Sequence, residues 1–151
     1  MPHIFNEDFK DFLRSLNQNQ VMYILVGGYA VILHGYERVT GDMDIWVKPS
    51  EENYSKMQSA FKSFGMPMFD MTLDNFLNID KFDVFRFGRK PVAIDIMTKV
   101  KGLNFVDAFE ESEIVLVDDI PVRLLQLHHL IEAKKQAGRN KDLNDLENLS
   151  G

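Results

Sequence analysis

Val21-Met22-Tyr23-Ile24-Leu25-Val26-Gly27-Gly28, followed after 13 residues by Asp42-Met43-Asp44-Ile45-Trp46-Val47, is the stretch on which the fold turns. The first apolar run ends at a glycine pair, and residues 29–35 then have helical composition, so the order reads strand, tight turn, short helix. About two helical turns plus the return through residues 36–41 suffice to bring a second strand, residues 42–47, beside the first. Along that second strand the period of two puts Asp42 and Asp44 on one face, about 7 Å apart at Cα. Met43, Ile45 and Val47 point to the other.

Outward from this centre the pattern stays α+β. Phe5, Phe9, Phe12, Leu13 and Leu16 recur at helical spacing and predict an opening helix that ends near Asn17-Gln18-Asn19. Ser50 is suited to N-cap a helix with Glu51 and Glu52 in its first turn and Tyr54, Met57, Phe61 and Phe64 on its apolar side; Gly65 would end it. Further strands are expected at residues 82–87, 92–97 and 114–117, the first two joined by a hairpin through Gly88-Arg89-Lys90-Pro91. From Leu124 to Ala137 the pattern is helical, Gly138 breaks it, and Asn140 is expected to cap a last helix bearing Leu143, Leu146 and Leu149. The expectation is one domain over residues 1–151, with a core at 21–97 and C-terminal helices at 124–149. A mixed sheet would carry helices on one face and close with the C-terminal helical pair.

Two carboxylates side by side in an apolar strand repel each other, and desolvation adds to the cost, unless a cation neutralises them. Asp95, between Ile94 and Ile96 in a later strand, could complete a three-carboxylate cage for a hard, oxygen-preferring ion such as Mg²⁺ or Mn²⁺. An Asp-x-Asp also arises by chance at strand ends; the upstream Gly27-Gly28 turn separates the two readings. A turn without side chains lets a phosphate approach backbone N–H groups at the start of the following helix.

Composition narrows the chemistry further. There is no cysteine, which excludes disulfides, thiolate metal sites and cysteine nucleophiles. Net charge is −6, from 23 acidic and 17 basic residues, which argues against broad phosphate neutralisation along a nucleic acid. No apolar run approaches the ~20 residues of a membrane helix, and residues 2–8 lack the basic and apolar regions of a signal peptide. The expectation is a cytoplasmic protein with no membrane partner.

The glycine pair and the Asp-hydrophobic-Asp strand together resemble the signature of nucleotidyltransferases of the DNA polymerase β-like superfamily. Resemblance extends through Arg38-Val39-Thr40-Gly41, Pro49-Ser50-Glu51-Glu52-Asn53 and Ile94-Asp95-Ile96 to small bacterial nucleotidyltransferases related to the abortive-infection type IV toxins. The tail, Lys134-Lys135-Gln136-Ala137-Gly138-Arg139-Asn140-Lys141-Asp142-Leu143-Asn144-Asp145, is similar to that group's closing motif. The family implies transfer of a nucleoside monophosphate from an NTP to a hydroxyl acceptor with release of pyrophosphate, by two Mg²⁺ ions about 3.5–4 Å apart. It implies Asp42, Asp44 and Asp95 as metal ligands, Asp95 also as a general-base candidate, and Gly27 and Gly28 as the phosphate turn. Lys134, Arg38 and Thr40 would serve the triphosphate. Relatives act on tRNA, protein hydroxyls or small molecules, so the acceptor stays open, as do a toxin–antitoxin partner protein and a homo-oligomer. A non-catalytic nucleotide-binding or regulatory module is the rival reading.

Several of these residues have a second reading from the pattern itself. Leu127, Leu130 and Ile131 form a buried stripe whose next position is Lys134, and an inward lysine needs an anionic partner. That partner is a triphosphate or Asp142 or Asp145, the other reading being a stem that snorkels its ammonium to solvent; Lys135 falls near Glu132, on the solvent side. Arg139 and Asp142 have the spacing of an i,i+3 pair. Thr40 could serve a phosphate or cap its turn. His34, His128 and His129 share no ligand spacing with the aspartates and read as structural or surface residues. Trp46, on the face of Asp42 and Asp44, is not by itself a base-stacking residue.

Overall fold

The computed structural model describes residues 6–37, 40–88 and 93–150. In chain order they form α1 (Glu7–Gln18), β1 (Tyr23–Val26), α2 (Gly27–Leu33), β2 (Met43–Val47), α3 (Glu51–Phe64), α4 (Leu73–Leu77), β3 (Val84–Phe87), β4 (Ile94–Met97), α5 (Phe105–Glu111), β5 (Glu113–Val117), β6 (Ile120–Leu124), α6 (Leu127–Ala137) and α7 (Asn140–Ser150). The six strands make one sheet in the order β3-β4-β2-β1-β6-β5. β2 pairs antiparallel with β1 and parallel with β4, so the sheet is mixed and the domain α+β, as expected from the sequence.

Local signals account for the ends of most elements. The Asn6 side chain accepts from Phe9 N at 2.8 Å at the start of α1, and Ser50 Oγ accepts from Asn53 N at 3.2 Å at the start of α3. Gly65 and Gly138 end α3 and α6 in the left-handed conformation, at φ 87° and 65°. β5 and β6 are joined by Asp118 and Asp119, both at positive φ, the geometry of a two-residue hairpin turn. Asp118 also receives the Lys10 ammonium at 3.0 Å, which pins α1 to that turn.

Met43, Ile45, Val47, Ile94, Ile96, Phe85 and Phe87 are all buried, and Phe87 meets Phe61 of α3 edge to face at 4.8 Å between centroids. Phe12 of α1 packs against Phe61 and Phe64, so α1 and α3 cover this apolar side of the sheet. Trp46, on the opposite side, is buried against Phe105 of α5, which makes it a core residue.

Four local expectations change. Helix α2 begins at Gly27, so both glycines lie in its first turn rather than before it. Leu124 ends β6 instead of opening a helix; Ile120, Val122 and Leu124 are buried in alternation and the strand is hydrogen-bonded between β1 and β5. The helix starts at Leu127 with Gln126 as its cap, and Asn140 is the first residue of α7. Sheet pairing on both sides outweighs the helical composition there, and Pro121 within the strand hides it from a propensity reading. Helices α4 and α5, five and seven residues long, are too short for a periodic signal. Phe5, Arg38 and residues 89–92 of the expected hairpin turn lie outside the described residues.

Candidate active site

Strand register brings the carboxylates together. β2 and β4 run parallel with Asp44 opposite Asp95, so side chains separated by about a third of the chain stand on adjacent strands and on one face. Asp42 lies one residue before β2 and two before Asp44, on the same face. All three line an open cavity of about 620 Å³. Burial pushes the Asp44 carboxyl up to about 7, helped by the negative charge of Asp95, a hydrogen bond with it, and the charge of Asp42; Lys141 pulls the other way.

Sequence reasoning missed Arg86. It faces Asp95 across the antiparallel β3–β4 ladder. Its Nη2 donates to Asp42 Oδ2 at 2.7 Å and to Asp95 Oδ2 at 3.2 Å, and its Nε lies 3.1 Å from Asp95 Oδ1. A guanidinium thus bridges Asp42 and Asp95, while among the described residues none bonds Asp44 in the same way. The available signal was alternation in Val84-Phe85-Arg86-Phe87, where Phe85 and Phe87 are buried and Val84 and Arg86 exposed.

The carboxylates fit a hard divalent cation. Every donor of the cluster is an oxygen, and Asp42 Oδ1 is buried with no hydrogen-bond partner among the described residues. Asp42, Asp44 and Asp95 are the residues that would hold the ion.

Gly27, the first residue of α2, has φ 69°, and a Cβ built on it would overlap Oδ2 of Asp44 and come within 2.9 Å of its Cβ. Backbone therefore lies directly against the carboxylate. Gly28 lines the same cavity. Thr40 also lines it, and its hydroxyl donates to the Asp42 carbonyl at 3.4 Å, a turn contact.

Lys134, Arg139 and Lys141 line the same cavity as the carboxylates. Lys134 is 5% exposed, and its ammonium is 3.2 Å from Asp142 Oδ1 and 3.1 Å from Asp145 Oδ2. Both aspartates are buried in α7, and Asp142 also accepts from Arg139 as an i,i+3 pair. Lys134 thus lines the cavity while its charge is shared by two carboxylates of this chain; Lys135 is exposed. His34 Nε2 contacts the Leu125 carbonyl at 2.7 Å, a structural tie, while His128 and His129 gather with Glu111 and do not line the cavity.

Neither a family model nor a curated protein sequence matches the chain. Solved structures do, and they define the architecture: this is a nucleotidyltransferase fold. LnuA, a lincosamide antibiotic adenylyltransferase solved with lincomycin bound, is 16% identical and superposes with a TM-score of 0.61 over 99% of this chain and 98% of its own. An inferred nucleotidyltransferase from Thermotoga maritima gives 14% identity and a TM-score of 0.58 over 97% and 95% of the two chains. ANT(2'')-Ia, solved in complex with adenylyl-2''-tobramycin, gives 13% and 0.56 over 93% and 84%. Among the described residues no helix is long and apolar enough to cross a membrane.

Proposed function

We propose that this chain transfers a nucleoside monophosphate from an NTP to a hydroxyl acceptor and releases pyrophosphate. The observation that carries the reading is the meeting of Asp42, Asp44 and Asp95 on one face of the sheet, against the glycine-opened start of α2, in a cavity also lined by Lys134, Arg139 and Lys141. Asp42, Asp44 and Asp95 would hold Mg²⁺ or Mn²⁺. When bound, the divalent ions supply Lewis-acid polarisation of the phosphate oxygens and neutralise charge in the in-line displacement.

The chain's own residues orient the reactants around that centre. Gly27 and Gly28 would let the phosphates lie against backbone N–H groups, and at Gly27 a side chain would intrude on Asp44. Lys134, Arg139 and Lys141 counter the triphosphate charge, with Thr40 and Arg38 as further candidates. Asp95 would take the acceptor's proton as the acceptor oxygen bonds to the α-phosphorus and the bond to the pyrophosphate oxygen breaks. Arg86, which bridges Asp42 and Asp95, would turn to the phosphates once those carboxylates held the ions.

Two of the structures sharing this fold act on, or hold, adenylylated or unmodified antibiotics, and their chains are matched over most of their length. That supports ATP as donor and a small hydroxyl-bearing molecule as acceptor over tRNA or a protein. The relation to abortive-infection toxins, and a toxin–antitoxin partner or a second copy, would use surface outside the cavity. Ile114 and Leu116 on the edge strand β5, 59% and 63% exposed, are among the exposed apolar residues that could serve it.

The deciding experiment incubates the purified chain with each labelled NTP and Mg²⁺, against lincomycin, tobramycin, total RNA and cell lysate. Label should pass to an acceptor, and Asp44→Ala should lower the rate on the order of 10³-fold or more while the protein stays folded. No transfer to any acceptor, together with no Mg²⁺-dependent NTP binding, would return the chain to the non-catalytic rival.

A further inference from the structure

Glu111 at the end of α5 and His128 and His129 in the first turn of α6 form a second cluster of ligating side chains, apart from the aspartate cavity. His128 Nε2 is 3.5 Å from Glu111 Oε1, and His129 Nε2 is 3.5 Å from Glu111 Oε2. One ligand atom from each residue lies within 4.8 Å of the other two, and the imidazole centroids are 4.1 Å apart. Both rings turn a nitrogen to one carboxylate.

The environment of His128 sets which nitrogen carries the proton. Gln126 Oε1 accepts the His128 backbone N–H at 2.9 Å and lies 2.5 Å from His128 Nδ1. An amide oxygen only accepts, so Nδ1 bears the hydrogen and the neutral ring keeps its lone pair on Nε2, towards Glu111. A lone pair facing a carboxylate oxygen repels it unless a positive charge lies between them. His129 Nδ1 is buried with no hydrogen-bond partner among the described residues, so the group set against that ring is Glu111 at Nε2, where a cation between the two would meet the Nε2 lone pair. The Gln126 contact is the outer-shell arrangement that orients metal-bound histidines.

We propose that Glu111, His128 and His129 form a second metal site, for a borderline transition cation of the Zn²⁺ class, that ties the end of α5 to the start of α6. Two imidazole nitrogens and one carboxylate suit Zn²⁺ and are poor ligands for Mg²⁺. Three protein ligands leave a coordination position for water. Glu111 and His128 are more than half exposed, so the ion enters from solvent and little desolvation opposes binding. The clamp joins α5, which packs on Trp46 of β2, to the helix that carries Lys134 into the aspartate cavity. It does not depend on the nucleotide reading.

The test is calorimetric titration of the whole chain with Zn²⁺ near neutral pH, with excess Mg²⁺ present for the aspartates. One equivalent of Zn²⁺ should bind and raise the melting temperature. The Glu111→Gln/His128→Gln double variant, checked for folding by circular dichroism, should lose at least about tenfold in affinity. Asp44→Asn should keep zinc binding. Absence of binding to the wild type, equal binding by the double variant, or a melting temperature that responds to pH and not to zinc, the mark of proton bridging, would each overturn the site.

Discussion

Gly27 lies against Asp44 so closely that a single added methyl group on Gly27 would overlap the carboxylate. Its φ of 69° independently disfavours any side chain there. Gly27→Ala should therefore lower stability by about 1–3 kcal/mol and displace Asp44, with loss of nucleotidyl transfer. Denaturant unfolding measures the first effect; a variant as stable as the wild type would show that the turn has room the structure does not display.

Arg86 occupies the position between Asp42 and Asp95 that a cation would contest. Removing it by Arg86→Ala should raise the affinity of the nucleotide-free protein for Mn²⁺ by roughly threefold to tenfold, a modest factor because the guanidinium is about half exposed and screened. Electron paramagnetic titration of free Mn²⁺ reads this directly. Weaker Mn²⁺ binding in the variant would mean that Arg86 organises the carboxylates instead of competing for them.

Burial raises the Asp44 carboxyl to about 7 from an ordinary 3.8, so the folded, metal-free chain holds a proton that the unfolded chain releases. Below the ordinary value both states are protonated and Asp44 contributes nothing. As pH rises from about 4 to 7 only the folded state keeps the proton, so stability falls; above 7 the full penalty remains. Unfolding curves in EDTA across this window should show that decline, and Asp44→Asn should flatten it. An unchanged slope in Asp44→Asn would place the proton elsewhere.

Lys134 is buried between Asp142 and Asp145, so Lys134→Met leaves two carboxylates with only part of their compensation. The loss should be about 3 kcal/mol, the lower end for breaking a buried ion pair, because Arg139 still holds Asp142. Comparing this loss with the change in ATP affinity separates the two roles of the lysine. Undiminished affinity in a folded variant would confine Lys134 to fastening α7 on α6.

The sequence by itself determined what depends on neighbours along the chain. Period two set Asp42 and Asp44 on one strand face, Ser50 and Gly65 bounded α3, and Gly138 stopped α6, because caps, left-handed turns and side-chain alternation are local properties. Only the tertiary structure decided what depends on strand partners. The parallel pairing of β2 with β4 set Asp95 beside Asp44, and the β3–β4 register put Arg86 opposite Asp95. β6 became a strand because β1 and β5 supply its hydrogen bonds on both sides. The helical stripe required an anionic partner for Lys134 and left a triphosphate and two aspartates as equals; the packing of α7 on α6 brought Asp142 and Asp145 to its ammonium. Such contacts join residues far apart in the chain or on separate helices, where no local spacing fixes the distance between side chains and register or helix packing must do so.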